Sequence, residues 1–148
     1  MPDALPRVDA GMSWNANIID EFRANEGRVG GMFQGAPILL LHTTGHRSGE
    51  ERVSPLMYLP DGDRWVVFAS KGGHPYHPHW LLNLEADPDA TIEVGTETIP
   101  VRATVLRDGP ERDELYARQV AVRPQFGEYE LKTAGKRTIP VIVLERRS

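Results

Sequence analysis

A chain of 148 residues, 40% apolar and 26% charged, is long enough for one domain with a sizeable core and has the composition of an ordinary globular protein. Its net charge of −4 and pI of about 5.7 argue against a nucleic-acid partner, so a bound anion would need a local cluster, for which Arg47, Arg52 and Lys71 are the candidates. The absence of cysteine excludes disulfides, thiolate catalysis and cysteine-ligated metals; with no signal-like leader and no apolar run of membrane-spanning length, the expected setting is the cytoplasm and the expected partner a small-molecule substrate.

Residues 1–12 contain Pro2, Pro6 and Gly11 and are expected to be extended or mobile at the start of a single domain covering 1–148. Ser13 is a candidate N-cap for a helix over 13–25, with Trp14, Ile18, Ile19 and Phe22 on one face. Gly27, Gly30, Gly31 and Gly35 end it in a flexible connector. Strand-like runs follow at 38–43, 52–59 and 64–69, and the Asp61-Gly62 pair predicts that the second and third form an antiparallel hairpin.

Ser70-Lys71-Gly72-Gly73 then breaks the strand, and its glycines permit close backbone approach. Pro78 stands where a first helical turn would begin, so a short helix carrying Trp80, Leu81 and Leu84 is expected to run to about Ala86. Two further strands are read at 91–94 and 98–106, the second half-buried because Ile99, Val101, Ala103 and Val105 recur at period two. Pro110 opens a helix to about Val122, its N-terminal dipole opposed by Glu111, Asp113 and Glu114; a short helical segment over 126–132 and a last strand over 138–144 complete the chain. Pro140 assigns that strand to a sheet edge. About six strands joined by hairpins and interrupted by short helices predict a mainly β (α+β) fold, a small antiparallel barrel with peripheral helices, and exclude a Rossmann sheet.

The stretch Thr43 to Pro55, TTGHRSGEERVSP, bears most directly on function. Gly45 and Gly49 flank a loop able to turn backbone N–H groups and Arg47 toward one point, which makes a phosphate seat; the competing reading is a tight strand connection with Arg47 and Arg52 solvated. The nucleotide P-loop spacing is absent. His42 and His46, and the group His74, His77 and His79, lack an acidic ligand at a recognisable spacing, so no metal is assigned. Ser48, Ser54 and Ser70 sit in no nucleophile elbow, while Glu50-Glu51 and Asp61/Asp63 read as solvated turn residues. What remains is a protein that borrows its reactive group from a cofactor.

Five segments carry a resemblance: Gly30-Gly31-Met32-Phe33-Gln34; Leu41 to Gly49 with Arg52-Val53-Ser54-Pro55-Leu56; Ala69 to Gly73; Pro78 to Leu84; and Arg137-Thr138-Ile139-Pro140. In this order and with similar gaps, from about Trp14 onward, the chain resembles the deazaflavin-dependent nitroreductases of actinobacteria, which use coenzyme F420. The resemblance implies a split β-barrel of the FMN-binding, pyridoxamine-phosphate-oxidase-like type. It implies that His46, Arg47 and Ser48 hold the cofactor phosphate and that Arg52, Val53, Ser54, Pro55, Leu56 and Met57 line the cofactor groove. Phe68, Ala69, Ser70 and Lys71 on one side, and His79, Trp80, Leu81, Leu82 and Asn83 on the other, would flank the deazaflavin ring. The chain departs from the pattern at its substrate side: Phe126 takes the place of a tyrosine and only Tyr129 retains a phenol, which puts nitroimidazole reduction in doubt.

Two functions follow from this reading. One is an F420-dependent reductase passing a hydride to a conjugated electrophile such as an enone, lactone, quinone or nitroaromatic, with the proton from solvent, Tyr129 or a histidine. The other is a non-catalytic carrier on the same barrel, taking deazaflavin, FMN or another flavin, or a tetrapyrrole-sized ligand. Oligomeric state is not specified by the sequence.

Overall fold

The computed structural model describes residues 10–30 and 35–147. Along it run α1 (Ala10–Ala24), β1 (Ile38–Thr44), β2 (Glu51–Met57), β3 (Leu59–Asp61), β4 (Arg64–Phe68), a 3-10 turn (Lys71–Gly73), α2 (His79–Ala86), β5 (Asp89–Val94), β6 (Glu97–Leu106), α3 (Pro110–Val122), α4 (Gln125–Thr133) and β7 (Val141–Arg146). The strands form one antiparallel sheet in the order β2-β1-β5-β6-β7-β4-β3. Its two edges, β2 and β3, are consecutive in the chain with only Tyr58 between them, so the sheet must curl until those edges meet. The result is a split β-barrel.

The four successive apolar residues of β1 are all buried because both faces of the strand are covered. Leu39 and Leu41 point inward with Val67, Ile92, Ile99, Val101, Ile142 and Leu144, and α2 fills the interior with Trp80, Leu81 and Leu84. Ile38 and Leu40 point outward onto Ile18 and Phe22 of α1 and onto Val29. Around the barrel, the outer face of β4 and β7 (Val66, Phe68, Val141, Val143) is covered by Leu115 and Tyr116 of α3 and Phe126 of α4. Burial raises the Tyr116 phenol above its ordinary range, and its hydroxyl donates to the Phe126 carbonyl at 2.7 Å.

Several expectations are corrected by this arrangement. Ser13 lies inside α1 rather than capping it, since the helix already includes 10–12; the extended or mobile reading of 1–9, and the connector residues 31–34, lie outside the described residues. The run 52–59 divides at Tyr58, whose N–H donates to the Pro37 carbonyl; before it β2 pairs with β1, and only the three residues of β3 pair across the Asp61-Gly62 turn with β4. A seventh strand comes from that division. Pro140 precedes β7, which is central and not an edge: its carbonyl accepts from Ala69 N–H, and the ladder starts at Val141, so the missing proline donor costs nothing. Asp61 is no solvated turn residue, because Arg64 and Arg118 donate to it and hold its carboxyl below the usual range, tying α3 to the β3–β4 hairpin.

The outer face of β1 and β5 carries a polar latch for α1. Arg23 grips Glu93 through Nε at 3.1 Å and Nη2 at 2.7 Å, while His42 lies between Glu93 (2.5 Å from Nε2) and Glu51 (3.0 Å from Nδ1). Chiefly through the Arg23 hydrogen bond, and against its partial burial, the Glu93 carboxyl sits below the usual carboxylate range. A folded-state value below the unfolded one means stability that is complete above the ordinary carboxylate range and lost as pH falls through the depressed value. Acidification is therefore expected to loosen α1 early, seen as lower protection of the Ile18, Ile19 and Phe22 amides relative to their intrinsic exchange rates at each pH. A Glu93→Gln variant should show faster exchange already at neutral pH, and an acid response identical in variant and wild type would locate the sensitivity elsewhere.

Candidate functional site

The β1–β2 ladder closes with Thr44 opposite Glu51, leaving 45–50 as a loop. Gly45 N–H donates to the Glu50 carbonyl at 2.7 Å, Gly49 N–H to the Gly45 carbonyl at 2.9 Å, and Glu50 N–H to Ser48 Oγ at 3.1 Å. Gly45 has to be glycine for this: a Cβ there would stand 2.6 Å from Ser48 Oγ and 3.2 Å from the Glu50 carbonyl oxygen. From α2, the buried Asn83 pins the loop. Its Oδ1 accepts from the His46 backbone N–H at 2.9 Å and lies 2.7 Å from His46 Nδ1, and its Nδ2 donates to Thr43 Oγ1 at 3.0 Å.

Above this junction lies a groove of about 910 Å³. Its walls are Ala16 and Ile19 of α1; Gly45, His46, Arg47 and Ser48 of the loop; Glu51, Arg52, Val53 and Ser54 of β2; and His79, Trp80, Leu82 and Asn83 of α2. Flat and aliphatic surfaces thus alternate with a cationic rim. Arg52 is partly neutralised by Glu50 at 3.5 Å, whereas Arg47 makes no ion pair among the described residues.

Of the residues singled out from sequence, His46, Arg47, Ser48, Arg52, Val53, Ser54, His79, Trp80, Leu82 and Asn83 meet in this groove. Pro55, Leu56 and Met57 continue β2 past it; Leu56 packs on the barrel interior, as does the wholly buried Leu81. Phe68, Ala69, Ser70 and Lys71 form a second group with α4. Phe68, Ala69 and Ser70 are buried, and Lys71 is exposed in the left-handed region at φ 47. The turn is pressed against α4, because a Cβ on Gly73 would lie 2.8 Å from Lys132 Cδ and 3.3 Å from Tyr129 Cα.

Arg137 clamps the same segment, donating to the carbonyls of Ala69 (2.9 Å), Ser70 (2.9 Å) and His74 (3.0 Å), with His77 Nδ1 at 3.1 Å. Burial, and then the Arg137 charge, hold the His77 imidazole below its usual range. Phe126 packs edge-on against Phe68 (5.6 Å) and Tyr129 (5.1 Å) and is buried, with Tyr129 half-buried beside it. Neither lines the groove. Ala16, Ile19 and Glu51 line it without having been singled out; Ile19 sits on the amphipathic face read from sequence, but the docking of that face over β2 has no local signal. Among the described residues no group of His, Asp or Glu could hold a metal ion, and no helix is long and apolar enough to cross a membrane.

A split barrel whose groove joins apolar walls to a cationic, hydroxyl-bearing loop has the makings of a site for a phosphorylated redox cofactor. The sequence pattern of the F420H(2)-dependent quinone reductase family matches residues 14–146, and the chain belongs to that family. It is 39% identical over 132 residues to the F420H(2)-dependent quinone reductase Rv1261c of Mycobacterium tuberculosis, with 85% of each chain covered. The solved F420-H2 dependent reductase FDR-A aligns with a TM-score of 0.66 and 38% identity over 74% of this chain and 94% of that one. A solved chain described as a domain-swapped dimer gives a TM-score of 0.68 and 33% identity, over 92% of this chain and 100% of its own. The protein is an F420H2-dependent oxidoreductase with coenzyme F420 as its cofactor, as the motif resemblance implied; the carrier reading is not favoured.

Proposed function

We propose that F420 lies in the groove between α1, β2 and α2 with its phosphate on the 45–50 loop, and that the acceptor is a quinone or a related conjugated electrophile. The observation that carries this is that His46, Arg47 and Ser48 of one loop line the same groove as Ile19, Val53, Trp80 and Leu82, with Glu51, Arg52, Ser54 and His79 also on its walls. That donor set suits a phosphorylated cofactor with a flat, largely apolar ring. When bound, F420H2 supplies the hydride.

Everything else falls to the chain's own residues. Arg47 contributes a charge-assisted hydrogen bond to the phosphate; Ser48, whose oxygen already accepts from Glu50 N–H, keeps its O–H free to donate. Trp80 and Ile19 would shield the ring from water, while Pro55, Leu56 and Met57 lie past the groove on β2, with Leu56 packed on the barrel interior. Of the segment Phe68 to Lys71, the first three are buried and none lines the groove, so only the exposed Lys71, in its left-handed backbone conformation on the Arg137-clamped turn, remains for the ring's polar edge. The proton that completes the two-electron reduction comes from solvent or from His79, which lines the groove, in preference to Tyr129, which does not.

The test is reoxidation of reduced F420, followed by its absorbance, with protein and a naphthoquinone, an enone or a nitroimidazole. Turnover is expected only when protein and acceptor are both present, and to be strongest with the quinone. Tight F420 binding with no acceleration for any acceptor would restore the carrier reading.

A further inference from the structure

The oxygen of Asn83 faces two nitrogens of one residue, His46 N at 2.9 Å and His46 Nδ1 at 2.7 Å. Which end of the amide faces the loop is settled by the network: the His46 backbone N–H needs an acceptor, and the other end, Nδ2, serves Thr43 Oγ1 at 3.0 Å. An amide oxygen only accepts. Nδ1 of His46 must therefore carry a hydrogen, and in the neutral ring Nε2 is then bare.

We infer that Asn83 is a positioning residue that locks His46 in the Nδ1–H tautomer and leaves Nε2 as a hydrogen-bond acceptor for the ligand in the groove. Asn83 is fit for this because it is buried, 3% exposed, and its other end is fixed on Thr43, so the amide cannot turn away from the exposed His46 ring. The lock also gives the loop mixed chemistry. Arg47 and Arg52 offer only donors, Glu50 and Glu51 are acidic, and His46 adds a neutral acceptor beside Arg47. A phosphate flanked by a hydroxyl satisfies both neighbours at once, the anion on Arg47 and the O–H donating to His46 Nε2. This part of the inference rests on the proposed reading of the loop as the phosphate seat; the tautomer lock does not.

The lock is read by two-bond nitrogen–proton correlation spectra of the 15N-labelled full chain without added ligand, at alkaline pH where imidazoles are neutral, with His46→Gln identifying the ring. His46 is expected to be protonated at Nδ1 and bare at Nε2, Asn83→Asp to keep that pattern, and Asn83→Ala to move the ring to the Nε2–H form that free histidine prefers. A wild-type ring protonated at Nε2, or a pattern indifferent to Asn83→Ala, overturns it; should the alanine variant not fold, the wild-type and Asn83→Asp spectra decide. The acceptor role is read from F420 titration. Asn83→Ala and His46→Lys should each weaken binding roughly five-fold, the loss of one neutral hydrogen bond, and a His46→Lys variant that binds as well as wild type would show that the position needs a cation and overturn the acceptor assignment. An Arg47→Ala variant with unchanged F420 affinity would remove the phosphate seat and leave the lock standing on its spectra.

Discussion

Arg47→Ala is expected to weaken F420 binding roughly 10- to 150-fold, the equivalent of about 1.5–3 kcal/mol for one charge-assisted hydrogen bond. The size of the effect follows from how little else can compensate. Net charge is −4, so no background field draws an anion to this face. Arg52, the other groove cation on β2, shares its charge with Glu50 at 3.5 Å. Quenching of the chain's tryptophan fluorescence by F420 measures the constant directly, and added salt should shrink the difference between wild type and variant, because the contact lies at an exposed rim. If Arg52→Ala proves the damaging substitution and Arg47→Ala is silent, the phosphate sits further along β2 than proposed.

The second large effect is expected from Phe22→Ala. Phe22 is 1% exposed and is the largest member of the cluster that joins α1 to the outer face of β1 through Ile38 and Leu40. Deleting a buried phenyl ring costs about 3–5 kcal/mol, a large share of the roughly 5–15 kcal/mol that holds a domain folded. Denaturant midpoints should show the loss, while Leu131→Ala, at a side chain 78% exposed, should change stability by less than about 0.5 kcal/mol. F420 affinity should fall along with stability, since α1 brings Ala16 and Ile19 to the groove. A penalty under about 1 kcal/mol would contradict the burial of this ring and the docking of the helix.

What could be read in the sequence was what local chemistry determines. Pro78 and Pro110 marked helix starts, Asp61-Gly62 marked a hairpin turn, and the alternation of Ile99, Val101 and Ala103 marked the buried face of β6. The glycine-arginine loop was legible for the same reason: Gly45 is dictated by contacts with Ser48 and Glu50 within five residues, and Gly49 by its own left-handed φ of 75°. Features that depend on distant segments were not. The division at Tyr58 needs Pro37 as a partner, and Pro140 could sit before a central strand because its carbonyl, not its nitrogen, meets Ala69. His42 showed no acidic partner at a recognisable spacing, yet its neighbours are Glu51 across the hairpin and Glu93, which is brought alongside by β5. Asn83 read as a wall of the ring pocket, and only the docking of α2 beneath the loop reveals that its amide is engaged by His46 and Thr43.

The placement of β7 sets the order in which this chain can become a protein. It is the last strand to be made, yet it lies between β6 and β4, and those two strands have no other link across the sheet. Until it arrives, β2-β1-β5-β6 and the β4–β3 hairpin are two separate ribbons, each with one future inner edge open to any strand that passes. Joining the two ribbons therefore takes a closure that spans about half of the chain, the kind of step that is slow and exposes partly built sheets to their neighbours. A nascent chain stalled before Val141 would hold the 45–50 loop already shaped by its own turn, but no barrel for it to open onto.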